Sequence, residues 1–110
     1  MTESNVLEGT VGAMTGSATL EIGSPAIRLR PLNLGDIAEA EKAVGMAWSK
    51  MYEEGLAITT LMEIMAISAR AFEPDITAKE VGERVPYGDF MDRMVEVVRF
   101  LGFRQPADEE

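Results

Sequence analysis

Between Gly55 and Pro74 the chain gives a helix no polar side of its own. Leu56, Ile58, Leu61, Met62, Ile64, Met65, Ile67 and Phe72 are spaced so that they surround most of a helix's circumference. A helix that is apolar nearly all round is buried, in its own core or against a partner. This stretch predicts a central helix over roughly 56–72, around which other elements must pack. Pro74 ends it, because the residue before a proline avoids the helical region.

The flanking segments supply the packing partners. Asn33 is a favoured N-cap, and Asp36 stands three residues on, where a carboxylate suits a helix N-terminus. Leu34, Ile37, Val44 and Trp48 follow at near-helical spacing. Gly45 interrupts that pattern at a cost of about 1 kcal/mol relative to alanine, so a bend or break is expected there before a helical stretch from Met46 to Glu54. After Pro74, Thr77-Ala78-Lys79-Glu80 matches a capping box, in which side chain and backbone at the two ends bond reciprocally. Glu80 and Arg84 are an i,i+4 pair, and Pro86 keeps this helix short. Phe90, Met94, Val97, Val98 and Leu101 then form a stripe for a last helix over about 89–101. Asp89 and Arg93 pair along it, Gly102 stops it, and Phe103 folds back onto it.

The first 24 residues read differently. Gly9, Gly12, Gly16 and Gly23 raise the entropy cost of ordering, and no helical period is sustained. The alternation at 18–22 allows a short strand, and Ile27-Arg28-Leu29-Arg30 alternates more clearly before Pro31 stops central pairing. The two could form a hairpin through Gly23-Ser24-Pro25. The expected architecture is mainly α: a small helical domain of about four helices over 26–103. A Gly/Thr/Ser-rich arm over 1–25, flexible or forming a short strand, precedes it, and an acidic tail over 104–110 follows.

Composition narrows the chemistry. The 110 residues contain no cysteine and no histidine, which removes disulfides, thiol nucleophiles, Cys/His zinc sites and the usual acid/base catalyst near neutral pH. Nineteen acidic against ten basic residues give a net charge of −9, which argues against nucleic acid as a partner and favours solubility or a basic protein partner. The first residues lack the basic start and apolar run of a signal peptide, and Glu63 and Arg70 interrupt the most apolar segment, so no membrane span is expected. The glycines of residues 9–23 match no phosphate-binding loop. Glu53-Glu54 falls short of a calcium loop, and no serine has a base beside it. Glu63 and Asp75 are the nearest thing to an acid/base pair, but an exposed face, or a pair with Arg70 two turns along, is the preferred reading of Glu63. No catalytic, cofactor or metal residue is therefore assigned.

The eight methionines carry more information. Methionine is flexible and polarizable; it fills cores, and it also serves surfaces that adapt to varied apolar helices. Met46, Trp48, Met51 and Tyr52 cluster in sequence, Met62 and Met65 lie on the central helix, and Phe72 closes it. These seven are the candidate protein-binding residues.

The order of segments also resembles a known family. Ile27-Arg28-Leu29-Arg30-Pro31-Leu32 leads into Leu34-Gly35-Asp36-Ile37-Ala38-Glu39-Ala40-Glu41, and an apolar helix runs through Leu61 and Ala69. Pro74-Asp75-Ile76-Thr77-Ala78-Lys79-Glu80-Val81-Gly82 and a closing Leu101-Gly102-Phe103 follow. Over about residues 26–103 the chain resembles the small tail assembly chaperones of long-tailed bacteriophages and prophages. The resemblance implies a mainly helical, non-catalytic protein, acting in the cytoplasm of the bacterial host. It implies binding and solubilising the helical tape measure protein, recruiting tail tube protein subunits, and self-association into a homo-oligomer. The family carries no cofactor and no fixed binding motif, and it does not account for the glycine-rich arm. A structural tail or virion component, and an acidic helical adaptor or antitoxin-like module, are the other readings of the same features.

Overall fold

In the computed structural model, which describes residues 18–103, the chain opens on a hairpin and continues as five helices. Strand β1 (Leu20–Ile22) pairs antiparallel with β2 (Ile27–Leu29), in the register Leu20 to Leu29, Glu21 to Arg28 and Ile22 to Ile27. The alternation places Leu20, Ile22, Ile27 and Leu29 inward, all buried. Glu21 and Arg28 pair across the outer face at 3.3 Å. The segment at 18–25 is thus a strand and turn built into the core, and the domain begins before residue 26. The boundary expected at residue 25 cuts through a packed hairpin. Residues 1–17 of the arm and the acidic tail lie outside the described residues.

Helix α1 (Leu34–Val44) starts as its sequence predicts. The Asn33 side chain accepts from the Asp36 backbone N–H at 2.8 Å, and the Asp36 carboxylate accepts from the Asn33 N–H at 3.0 Å. It ends at Gly45, whose φ of +79° is a left-handed conformation that favours glycine. The expected break is therefore a real one, and α2 (Trp48–Glu53) is a separate short helix. Its first N–H, that of Trp48, donates to the Glu41 carboxylate at 2.8 Å, so α1 caps α2.

Helix α3 (Ile58–Ala69) is the central element, packed against α1, β2 and α4 (Ala78–Arg84). Every residue from Ile64 to Ala69 is buried, as an all-round apolar helix requires. Helix α3 stops three residues short of Phe72; Phe72 and Glu73 close the turn with backbone N–H bonds to the Ala69 carbonyl. Ser68 is polar and fully buried, and both its bonds go to one residue of the hairpin strap: its Oγ accepts from the Arg30 N–H at 2.8 Å and donates to the Arg30 carbonyl at 2.7 Å. The last helix, α5 (Tyr87–Phe100), starts directly after Pro86, two residues earlier than its stripe suggests. Gly102 adopts a φ of +105°, and Phe103 turns back into the core.

The ion pairs redistribute relative to the sequence expectation. Only half of the Thr77–Glu80 capping box forms, because Thr77 Oγ1 accepts from the Glu80 N–H while the Glu80 carboxylate goes to Arg84 at 2.8 Å. Arg70 binds Glu39 and the Ile76 carbonyl rather than Glu63. Arg93 hydrogen-bonds Glu96, one turn on, rather than Asp89.

Candidate protein-binding surface

The seven candidate residues separate into three places. The first is α2. Met51 is fully buried, while Met46, Trp48 and Tyr52 are half-buried and pack against the core. The Trp48 ring stacks on Phe103 with centroids 4.2 Å apart and planes 13° from parallel, and Tyr52 lies 6.1 Å from the same ring. This cluster seats the end of the chain's last helix against α2. One face of the Trp48 ring is occupied from within.

The second place is Phe72, exposed after the end of α3 with the Arg28 guanidinium 5.3 Å from its ring centroid. It stands apart from both methionine groups and marks where the hairpin's outer face meets the α3–α4 connection.

The third place has the shape of a site. Helix α3 contributes Ile58, Leu61, Met62 and Met65 to an open groove of about 240 Å³. Val81, Gly82 and Val85 form the wall from α4, and Tyr87 and Phe90 close the end from α5. Met65 and Leu61 are buried in its floor, Met62 is half-buried, and Ile58 and Tyr87 stand exposed at its rim. Gly82 of α4 faces Met62 of α3 across this crossing. A Cβ there would lie 2.7 Å from the Met62 Cε, so the end of Met62 lies across the glycine. The groove lining is apolar apart from the Tyr87 hydroxyl.

The sequence singled out Met62 and Met65 for this surface. It did not single out Ile58, Val85, Tyr87 or Gly82. Tyr87 follows Pro86 and precedes the stripe of α5, and Gly82 reads as a weak point in a short helix. Only the crossing of α3 and α4 brings them together.

The charged groups form a separate network. Arg84 makes two bonds to Glu73, one to Glu80, and one each to the carbonyls of Pro25 and Ala26 in the hairpin turn. The Arg84 hydrogen bonds hold the Glu73 carboxyl below its ordinary range, outweighing desolvation, and Glu73 in turn raises Arg84. Arg93 lowers Glu96 in the same way. Gly23 completes the hairpin's junction with α4. Its φ is +93°, a Cβ on it would stand 2.7 Å from the Arg84 carbonyl oxygen, and the next N–H, of Ser24, donates to that oxygen at 2.7 Å. Among the described residues no three acidic side chains come together to hold a metal ion, and no helix is long and apolar enough to cross a membrane.

No family model matches this chain, and neither a curated protein nor a solved structure matches it.

Proposed function

We propose that this chain is a non-catalytic assembly chaperone of long-tailed phage particles, which holds the tape measure protein soluble in the bacterial host cytoplasm until tail tube subunits replace it. The observation that carries this reading is the open apolar groove of α3, α4 and α5, floored by Met62 and Met65 and rimmed by Ile58 and Tyr87. A holdase needs apolar surface that adapts to several segments of one long client, and methionine supplies it without a fixed shape. Helix-in-groove docking suits a helical client. The net charge of −9 keeps a complex with an apolar protein in solution. The order of segments over residues 26–103, which resembles such chaperones, supplies the identity of the client.

Co-expression with the neighbouring tail gene products, read by pull-down and mass spectrometry, tests this. The proposal expects a long helical tape measure protein that is soluble only when this chain is present. A stable ring of this chain formed without client, together with tube subunits in the pull-down, would make it a structural tail component instead. Co-purification of a basic host protein would make it an adaptor.

A further inference from the structure

The methionines of residues 18–103 do not stand alike toward solvent. Met51 and Met65 are buried, at 1% and 2% exposure. Met46 and Met94 are half-buried against the core, and Met91 is exposed on α5. Among the described methionines only Met62 is both half-buried and part of the open groove. A small water-soluble molecule entering the groove reaches its side chain, whereas Met65 is covered in the floor.

Met62 also sits where two helices meet. Helices α3 and α4 share the most extensive contact of any pair of elements. The Met62 Sδ lies 3.5 Å, and its Cε 2.7 Å, from where a β-carbon on Gly82 would stand, so the thioether occupies the space beside the glycine. Of the groove's side chains only Tyr87 carries a polar group. A thioether is at home in such surroundings, and a sulfoxide is not. The sulfoxide oxygen is a strong acceptor, and holding it among apolar groups without a donor costs free energy, so it turns to water and draws the side chain off Gly82.

We propose that Met62 is an oxidation site, and that its sulfoxide loosens the α3–α4 crossing and closes the groove to apolar partners. The oxidant is a peroxide. The Met62 sulfur attacks one peroxide oxygen, and the S–O bond forms as the O–O bond breaks. Two electrons pass from sulfur to the peroxide, whose second oxygen leaves as hydroxide and takes up the proton of the first to become water. Oxidation of Met91 adds a polar atom to a surface that is already exposed and leaves the groove as it is. The effect on partners rests on the reading of the groove as the client's site; the modification and its effect on the crossing do not.

The test treats the full chain with hydrogen peroxide, removes the oxidant and maps methionine sulfoxide by peptide mass spectrometry. Met62 is expected to oxidise before Met51 and Met65, with the helical circular dichroism retained. The melting temperature of the treated parent should fall by several degrees. Treated Met62→Leu should keep its melting temperature, because leucine fills a similar volume and takes up no oxygen. Met91→Leu is the control, and on treatment should lose as much as the parent. Unfolded tape measure protein diluted into each preparation then reads the groove. The untreated parent and treated Met62→Leu should keep it soluble, and the treated parent should let it precipitate. Met62 that stays reduced until Met51 and Met65 oxidise overturns the proposal. So does a treated Met62→Leu that loses as much stability as the treated parent, or a treated parent that holds the tape measure protein as well as the untreated one. If the untreated parent does not hold the tape measure protein while Met62→Leu abolishes the melting shift, the chaperone reading falls and the modification site stands.

Discussion

The guanidinium of Arg84 grips Glu73 with two parallel bonds, Nη1 to Oε2 at 2.8 Å and Nη2 to Oε1 at 3.0 Å. The same side chain reaches the carbonyls of Pro25 and Ala26. One planar fork thus ties together the α3–α4 connection, α4 and the hairpin turn, a task a point charge cannot perform. Arg84→Ala is expected to lower the melting temperature by several degrees, and Arg84→Lys to recover only a minor part of the loss. Thermal melts followed by circular dichroism check this. Equal stability of the lysine variant and the parent would show that charge alone matters.

The same pair sets a pH dependence. In the folded chain Arg84 holds the Glu73 carboxyl below the ordinary glutamate value of 4.5, and Arg93 does the same for Glu96. The folded state therefore releases these protons more readily than the unfolded chain. Their contribution to stability is complete above the ordinary value and is lost as pH falls through the depressed ones. Urea midpoints measured from pH 6 downward (roughly to pH 3) are expected to fall, and to fall less steeply in Arg84→Ala. Parallel curves for the two proteins would exclude Glu73 as a source.

The hairpin carries more of the fold than its glycine-rich context suggests. Leu20 and Ile22 are buried beside Ile27 and Leu29, and the Ser24 N–H bonds to the end of α4. A helical core starting at residue 26 would survive loss of residues 1–24, and the structure argues otherwise. Deleting them is expected to uncover the inner face of β2 and abolish a cooperative melt. Ile22→Ala alone is expected to cost about 2–4 kcal/mol in urea unfolding. A truncated chain that melts as sharply as the parent would contradict the packing described.

Trp48 is the single tryptophan, and its ring lies on Phe103. Truncation to alanine removes a half-buried surface and a stacked pair, so Trp48→Ala is expected to cost about 2 kcal/mol of stability. Its effect on client binding should be no larger than its effect on folding, since the groove lies elsewhere. In the parent, tryptophan fluorescence should shift to the red in one step with the loss of helical signal. An earlier shift would mean that α2 undocks before the core melts.

How much of this was legible follows the range of each interaction. The Asn33–Asp36 cap, the stop at Gly45, the Thr77 cap and the fold-back at Phe103 depend on residues a few apart, and all are readable from spacing. The all-round apolar character of α3 announces its central place. The reading failed where a distant group competes. Arg84 takes the Glu80 carboxylate from its capping box, and Glu39, 31 residues away, takes Arg70 from Glu63. Trp48 and Tyr52 look like a binding cluster in sequence because nothing local names Phe103 as their partner. The groove was half legible. Methionines at 62 and 65 marked the α3 side, whereas the opposite wall of Val81, Gly82 and Val85 comes from the packing of α4 on α3, a long-range fact with no local signature.

The central claim is that the apolar groove of α3, α4 and α5 holds the tape measure protein. The most direct test co-expresses that protein with the parent chain or with a double variant at the exposed rim, Ile58→Glu with Tyr87→Glu, and measures its soluble fraction. The account predicts soluble tape measure protein with the parent and precipitated protein with the variant, both chains being equally helical. Tape measure protein that stays soluble alone, or equally soluble with the variant, would contradict it.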